Sequence, residues 1–121
     1  MSTTTTHIIG TRWNILAYAR TTFGPVRFKL LDQNENPWPV LDDDTVTLWV
    51  KDDDGDPNVD AVIEKEARLV DEPSALYELI MTPAEMIVAE GDYVHQIIHD
   101  DGTTQRSAFF GRFRVRERVP D

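Results

Sequence analysis

Apolar and polar residues alternate along most of this chain with the two-residue period of half-buried β-strands. Val26, Phe28 and Leu30 alternate with Arg27 and Lys29. Val46, Leu48 and Val50 take one parity, and Thr45, Thr47, Trp49 and Lys51 take the other. Ile63, Ala67 and Leu69 oppose Glu64, Glu66 and Arg68, and Tyr77, Leu79 and Met81 form a further apolar row. In the last run Phe109, Phe113 and Val115 face one way, while Arg112, Arg114, Arg116 and Arg118 face the other. The run from Tyr93 to His99 has ambiguous facing, because Val94 and Ile98 compete with Tyr93 and Ile97.

Turn-forming clusters separate these runs: Asp32 to Pro37, Asp52 to Asn58, Asp71 to Ser74, and Asp100-Asp101-Gly102. Asp101-Gly102 between two strand-like runs predicts a hairpin turn. One short stretch has helix grammar. Thr82-Pro83-Ala84-Glu85 supplies an N-cap, a proline at the first helical position and the glutamate of a capping box. Gly91 is the expected left-handed stop, which leaves one or two turns over Met86 to Glu90.

Six strands, an N-terminal segment and no long helix predict an all-β fold, an Ig-like β-sandwich of about seven strands with one short helical turn. Tyr93 is read as inward, because a Gly-x-Tyr entry into a late strand is common in Ig-like sandwiches. Residues 1–18 are expected to be either an N-terminal arm or the first strand, and residues 19–121 the sandwich domain.

The wording of these turns and strands resembles a known family. Phe28-Lys29-Leu30-Leu31-Asp32 through Pro37, then Thr45 to Lys51, are similar to the first two strands of a phage Ig-like module. Leu76-Tyr77-Glu78-Leu79, Thr82 to Glu85 and Glu90-Gly91-Asp92-Tyr93 resemble its middle, and Asp101-Gly102-Thr103 to Val115 its final hairpin. The family is the N-terminal Ig-like domain of baseplate upper proteins in tailed phages, and the resemblance runs from about Val26 to Arg116. It implies a structural role in a virion and transfers no catalytic residue. No fibre or receptor-binding region follows within these 121 residues, so neck, tail-tube decoration and head fibre stand beside the baseplate as positions.

Charge narrows the partners. The chain holds 12 basic and 22 acidic residues, a net charge of −10, which repels nucleic acid and anionic membranes. From Arg106 onward five arginines stand against Glu117 and Asp121, a local sum of +3, so the first 105 residues carry −13. Four like charges on one strand face, at Arg112, Arg114, Arg116 and Arg118, repel one another unless acidic groups oppose them. Glu64 and Glu66 on a neighbouring strand are one expectation, and an acidic partner subunit is the other. Ile8, Ile9, Trp13, Ile15, Leu16 and Tyr18 are more apolar than a free tail, which makes them either the first strand or an arm lying on a neighbouring subunit.

Catalytic and metal chemistry find little support. There is no cysteine, so disulfides, thiolate zinc sites and cysteine nucleophiles are excluded. His95 and His99 are four apart, which on a strand separates them by roughly 13 Å, too far for one ion; both are expected at the surface or partly buried. Asp52, Asp54 and Asp56 match the first alternating ligands of an EF-hand, but glycine falls at Gly55 and the bidentate glutamate position holds Ile63. Ser2, Ser74 and Ser107 lie outside any strained Gly-x-Ser-x-Gly turn. The expectation is a non-enzyme with no cofactor and no metal. Its partners would be other virion proteins and copies of itself, and it would be made in a host cytoplasm and carried in the virion. A carbohydrate-binding or adhesive Ig-like module, with Trp38 and Trp49 stacking on sugar rings, is the alternative.

Overall fold

The computed structural model describes residues 3–8, 11–41, 43–52 and 61–117. They form ten strands in two sheets. The four-stranded sheet runs β1 (Thr3–Ile8), β4 (Phe23–Leu31), β8 (Leu76–Met81), β7 (Arg68–Asp71). The six-stranded sheet runs β2 (Thr11–Arg12), β10 (Gln105–Arg116), β9 (Gly91–Asp100), β5 (Thr45–Asp52), β6 (Ile63–Glu66), and β3 (Ile15–Tyr18) also pairs with β10. Strand order β4-β8-β7 against β10-β9-β5-β6 follows the immunoglobulin-type division of a sandwich.

The alternation read from sequence sets the two inner faces. Phe28 and Leu30 of β4, Val46, Leu48 and Val50 of β5, and Phe109, Phe113 and Val115 of β10 are all buried. An aromatic cluster ties the sheets together. Phe28 lies 5.9 Å from Tyr77 in a stacked pair and 5.8 Å from Phe109 edge-on, and Trp13 packs 5.7 Å from Phe109. Each such pair adds about 1 kcal/mol beyond the area it buries.

Tyr93 points inward as expected, and its hydroxyl donates to the Ala89 carbonyl at 2.7 Å, a tyrosine-corner bond at the mouth of β9. The Asp101-Gly102 hairpin is present, with Gly102 at φ 91° and the Asp101 carboxylate accepting from the backbone of Thr103 and Thr104.

Three local expectations change. The capping box forms in both directions, Thr82 N–H to Glu85 at 2.9 Å and Glu85 N–H to Thr82 Oγ1 at 3.2 Å. Its turn nevertheless ends at Met86, whose carbonyl accepts the N–H groups of Arg20 and Val88, each at 2.9 Å. Gly91 is not left-handed; it opens β9. The run from Ile63 to Leu69 is two strands. Ala67 donates to Val46 O on the six-stranded sheet, and the next residue, Arg68, pairs with Glu78 on the other.

Both histidines of β9 are fully buried on its inner face, deeper than a surface or partly buried position. His99 Nε2 lies 2.9 Å from Asp44 Oδ2, which also accepts the Leu41 N–H at 3.0 Å. Burial raises the nearby Tyr77 hydroxyl to about 12, with the Asp44 and Glu72 charges adding to the effect. Of the acidic loop that starts at Asp52, residues 53–60 lie outside the described residues.

Candidate functional site

The outer face of the six-stranded sheet gathers most of the polar residues singled out above. Register places them in rows. Arg12 stands opposite Phe110, Phe110 opposite Gln96, Gln96 opposite Trp49, and Trp49 opposite Glu64. In the next row Arg112 faces Val94, which faces Lys51. Leu16, Arg114 and Asp92 make a third row, and Tyr18 and Arg116 a fourth.

A hollow of about 450 Å³ opens over the first two rows. Trp49, Phe110, Gln96, Val94, Arg12, Lys51 and Arg112 line it, together with His95 and Gly111. The Arg12 guanidinium lies 5.6 Å from the centre of the Phe110 ring, a cation–π contact that holds both side chains at the rim. A smaller depression of about 260 Å³ follows along β3, lined by Asn14, Ile15, Leu16, Arg112 and Arg114.

The edge of this sheet is fastened from beneath. Between β2 and β3, Trp13 N–H donates to Phe110 O at 2.8 Å, and the Asn14 side-chain oxygen accepts the Arg112 N–H at 3.1 Å. The Trp13 carbonyl occupies the space a side chain at residue 111 would need, since a Cβ on Gly111 would meet that oxygen at 2.5 Å. His95, opposite Gly111 in register, donates from Nε2 to the same carbonyl. Burial pushes the His95 pKa down, and the bond to Trp13 opposes that only in part, so the ring is neutral near pH 7.

The sequence-selected partner residues divide between core and surface. Trp13 packs against the core and Ile15 is buried, so both serve the sandwich interior. Leu16 at 53% and Tyr18 at 44% exposure project outward beside Arg112, Arg114 and Arg116. Ile8 pairs with Leu31 in β1, while Ile9 and Arg118 lie outside the described residues.

Glu64 and Glu66 do not lie on a strand neighbouring Arg112, Arg114 and Arg116, because β9 and β5 separate β6 from β10. Arg114 instead donates to Asp92 at 2.9 Å. Both partners are half exposed, which makes this a weak pair of about 0–1 kcal/mol.

Trp38 leans on the core under the Arg106 guanidinium, 5.5 Å from its ring, so it caps the end of the sandwich. Trp49 alone of the two proposed stacking tryptophans lines a hollow. Arg12, Lys51, Gln96 and Phe110 went unselected. Their only sequence signal is shared parity with Trp49 and the arginines, which becomes a site once three strands are in register. Among the described residues no group of three or more His, Asp or Glu side chains is placed to hold a metal ion. No protein-family model matches the chain, and no curated protein matches it.

Proposed function

We infer that this chain is a structural subunit of a tailed-phage virion, in a baseplate, tail, neck or head-decoration position, and that it works by contact with neighbouring subunits. The observation that carries this reading is the β3–β10 surface, where exposed Leu16 and Tyr18 stand beside Arg114 and Arg116 on an otherwise acidic chain. Covering those two apolar side chains contributes about 2 kcal/mol, and the arginines select an acidic partner and set its register. Another copy of the chain offers such a partner: Glu64 and Glu66 lie at the opposite edge of the same sheet. A contact from one edge to the other is heterologous, the kind that builds rings or stacked tubes. The resemblance to the baseplate upper protein domain points the same way.

The experiment is incorporation into particles. A Leu16→Asp variant and an Arg114→Glu/Arg116→Glu double variant should both fold, as judged by thermal melting, and both should be depleted from assembled particles. Normal incorporation of both folded variants sinks the reading.

A further inference from the structure

We propose that the hollow over β10, β9 and β5 binds an acidic saccharide, a run of carboxylate-bearing pyranose rings. This site adjoins the β3–β10 contact surface, with Arg112 lining both, and does not rest on the assembly reading.

Its walls suit a sugar ring. Phe110 and Trp49 both stand opposite Gln96, on the strands flanking β9. Adjacent strands lie ~4.8 Å apart, so the two aromatic side chains rise from backbones roughly 10 Å apart with an amide between them. A pyranose has apolar C–H faces and a hydroxylated rim. Its faces pack on the aromatic walls, and the Gln96 amide, donor and acceptor at once, meets vicinal hydroxyls.

The charge selects an anion. Arg12, Lys51 and Arg112 line the hollow and, among the described residues, no Asp or Glu does, in a chain whose net charge is −10. Of these, the Arg12 guanidinium and the Lys51 ammonium are placed to hold a carboxylate by charge-assisted hydrogen bonds. A volume of about 450 Å³ is that of a small-ligand site.

Position within the sheet excludes a peptide added as a strand. Strand addition takes place at a free sheet edge, through the backbone. Here β10, β9 and β5 are each paired on both sides, so the hollow offers side chains alone.

Calorimetric titration of the full chain tests the proposal, with tetragalacturonate as the probe and two controls, its carboxyl-reduced neutral counterpart and tetraglutamate. Tetragalacturonate should bind, more weakly as salt is raised, and each control should bind at least about tenfold more weakly. Trp49→Ala and Lys51→Gln should each lower the affinity about tenfold while leaving the melting temperature unchanged, since both side chains lie outside the core. If Trp49→Ala proves unstable, Gln96→Ala on the same outer face carries the test. Absence of tetragalacturonate binding overturns the proposal. Equal binding of the neutral sugar shows that the cations do not select, and overturns it. Equal binding of tetraglutamate, indifferent to Trp49→Ala, reduces the hollow to a general anion attractor and overturns it too. The isolated chain suffices, so the answer is independent of particle assembly.

Discussion

The two outer faces of the sandwich hold their arginines in opposite ways. On the four-stranded sheet, Arg27, Glu78 and Arg68 come from adjacent strands and fall in one register row. Glu78 accepts from both guanidiniums at 3.0 Å. Hydrogen bonds from Arg68 and then Arg27 hold its carboxyl below the usual value. On the six-stranded sheet, Arg112 faces Val94 across the strands, and of Arg112, Arg114 and Arg116 only Arg114 has a carboxylate opposite it in register. The same alternation rule placed all of these arginines. The residue that each neighbouring strand brings into register decides whether an arginine finds a carboxylate across its own sheet.

The strongest way to break this contrast is to detach the edge that carries the open face. Gly111→Val puts a side chain where the Trp13 carbonyl sits, and should destabilise the fold by about 3 kcal/mol, read by urea unfolding. A loss below about 0.5 kcal/mol would mean that β2 and β3 are not fastened through that gap.

Next in size is a pH effect on the same fastening. The folded-state pKa of His95 is lowered, so the unfolded chain takes up its proton first as pH falls through 6.5. Stability from this group is complete above that value and is lost as pH falls toward the folded pKa. His95→Gln keeps a donor for the Trp13 carbonyl and should flatten that slope in a pH series of thermal melts. An unchanged slope would assign it to another group.

The braced face gives a smaller effect. Glu78→Gln should lower the melting midpoint by a few degrees near neutral pH and by nothing in strong acid. The folded-state pKa of Glu78 lies below 4.5, so its contribution is present above that value and is lost as pH falls through the folded pKa. The smallest effect on folding belongs to Arg114→Glu/Arg116→Glu, within about 0.5 kcal/mol, although the same variant should lose incorporation into particles. A large folding loss there would erase the difference between the two faces.

Much of the sandwich was legible because burial on one side imposes a period of two. That is how β4, β5, β8 and β10 showed their inner residues, and how Thr82 and Glu85 announced their reciprocal cap. Strand order was not legible. Glu64 and Glu66 read as neighbours of the arginine row, yet two strands intervene, and nothing local to either run encodes that. The expected helix beyond Met86 did not form, and the Met86 carbonyl is met instead by the N–H of Arg20, a distant residue that carries no sequence signature. His95 and Gly111 escaped for a related reason, because the group that joins them is the Trp13 carbonyl, 82 residues from His95. The hollow needed Phe110, Gln96 and Trp49 side by side, a relation that exists only once β10, β9 and β5 have paired.

The seam between β3 and β10 also dictates when the molecule can finish folding. Asn14 and Arg112 are 98 residues apart, and chain-closure entropy for such a span is about 4 kcal/mol by the logarithmic rule. Pairings of short span can form while the chain is still being synthesised, whereas this one waits for β10 to leave the ribosome. Until residues 11–18 dock, the rim of β10 is an unoccupied template. The matching segment of another nascent copy carries the same residues, so strand exchange between copies is the error that this seam invites when synthesis is crowded.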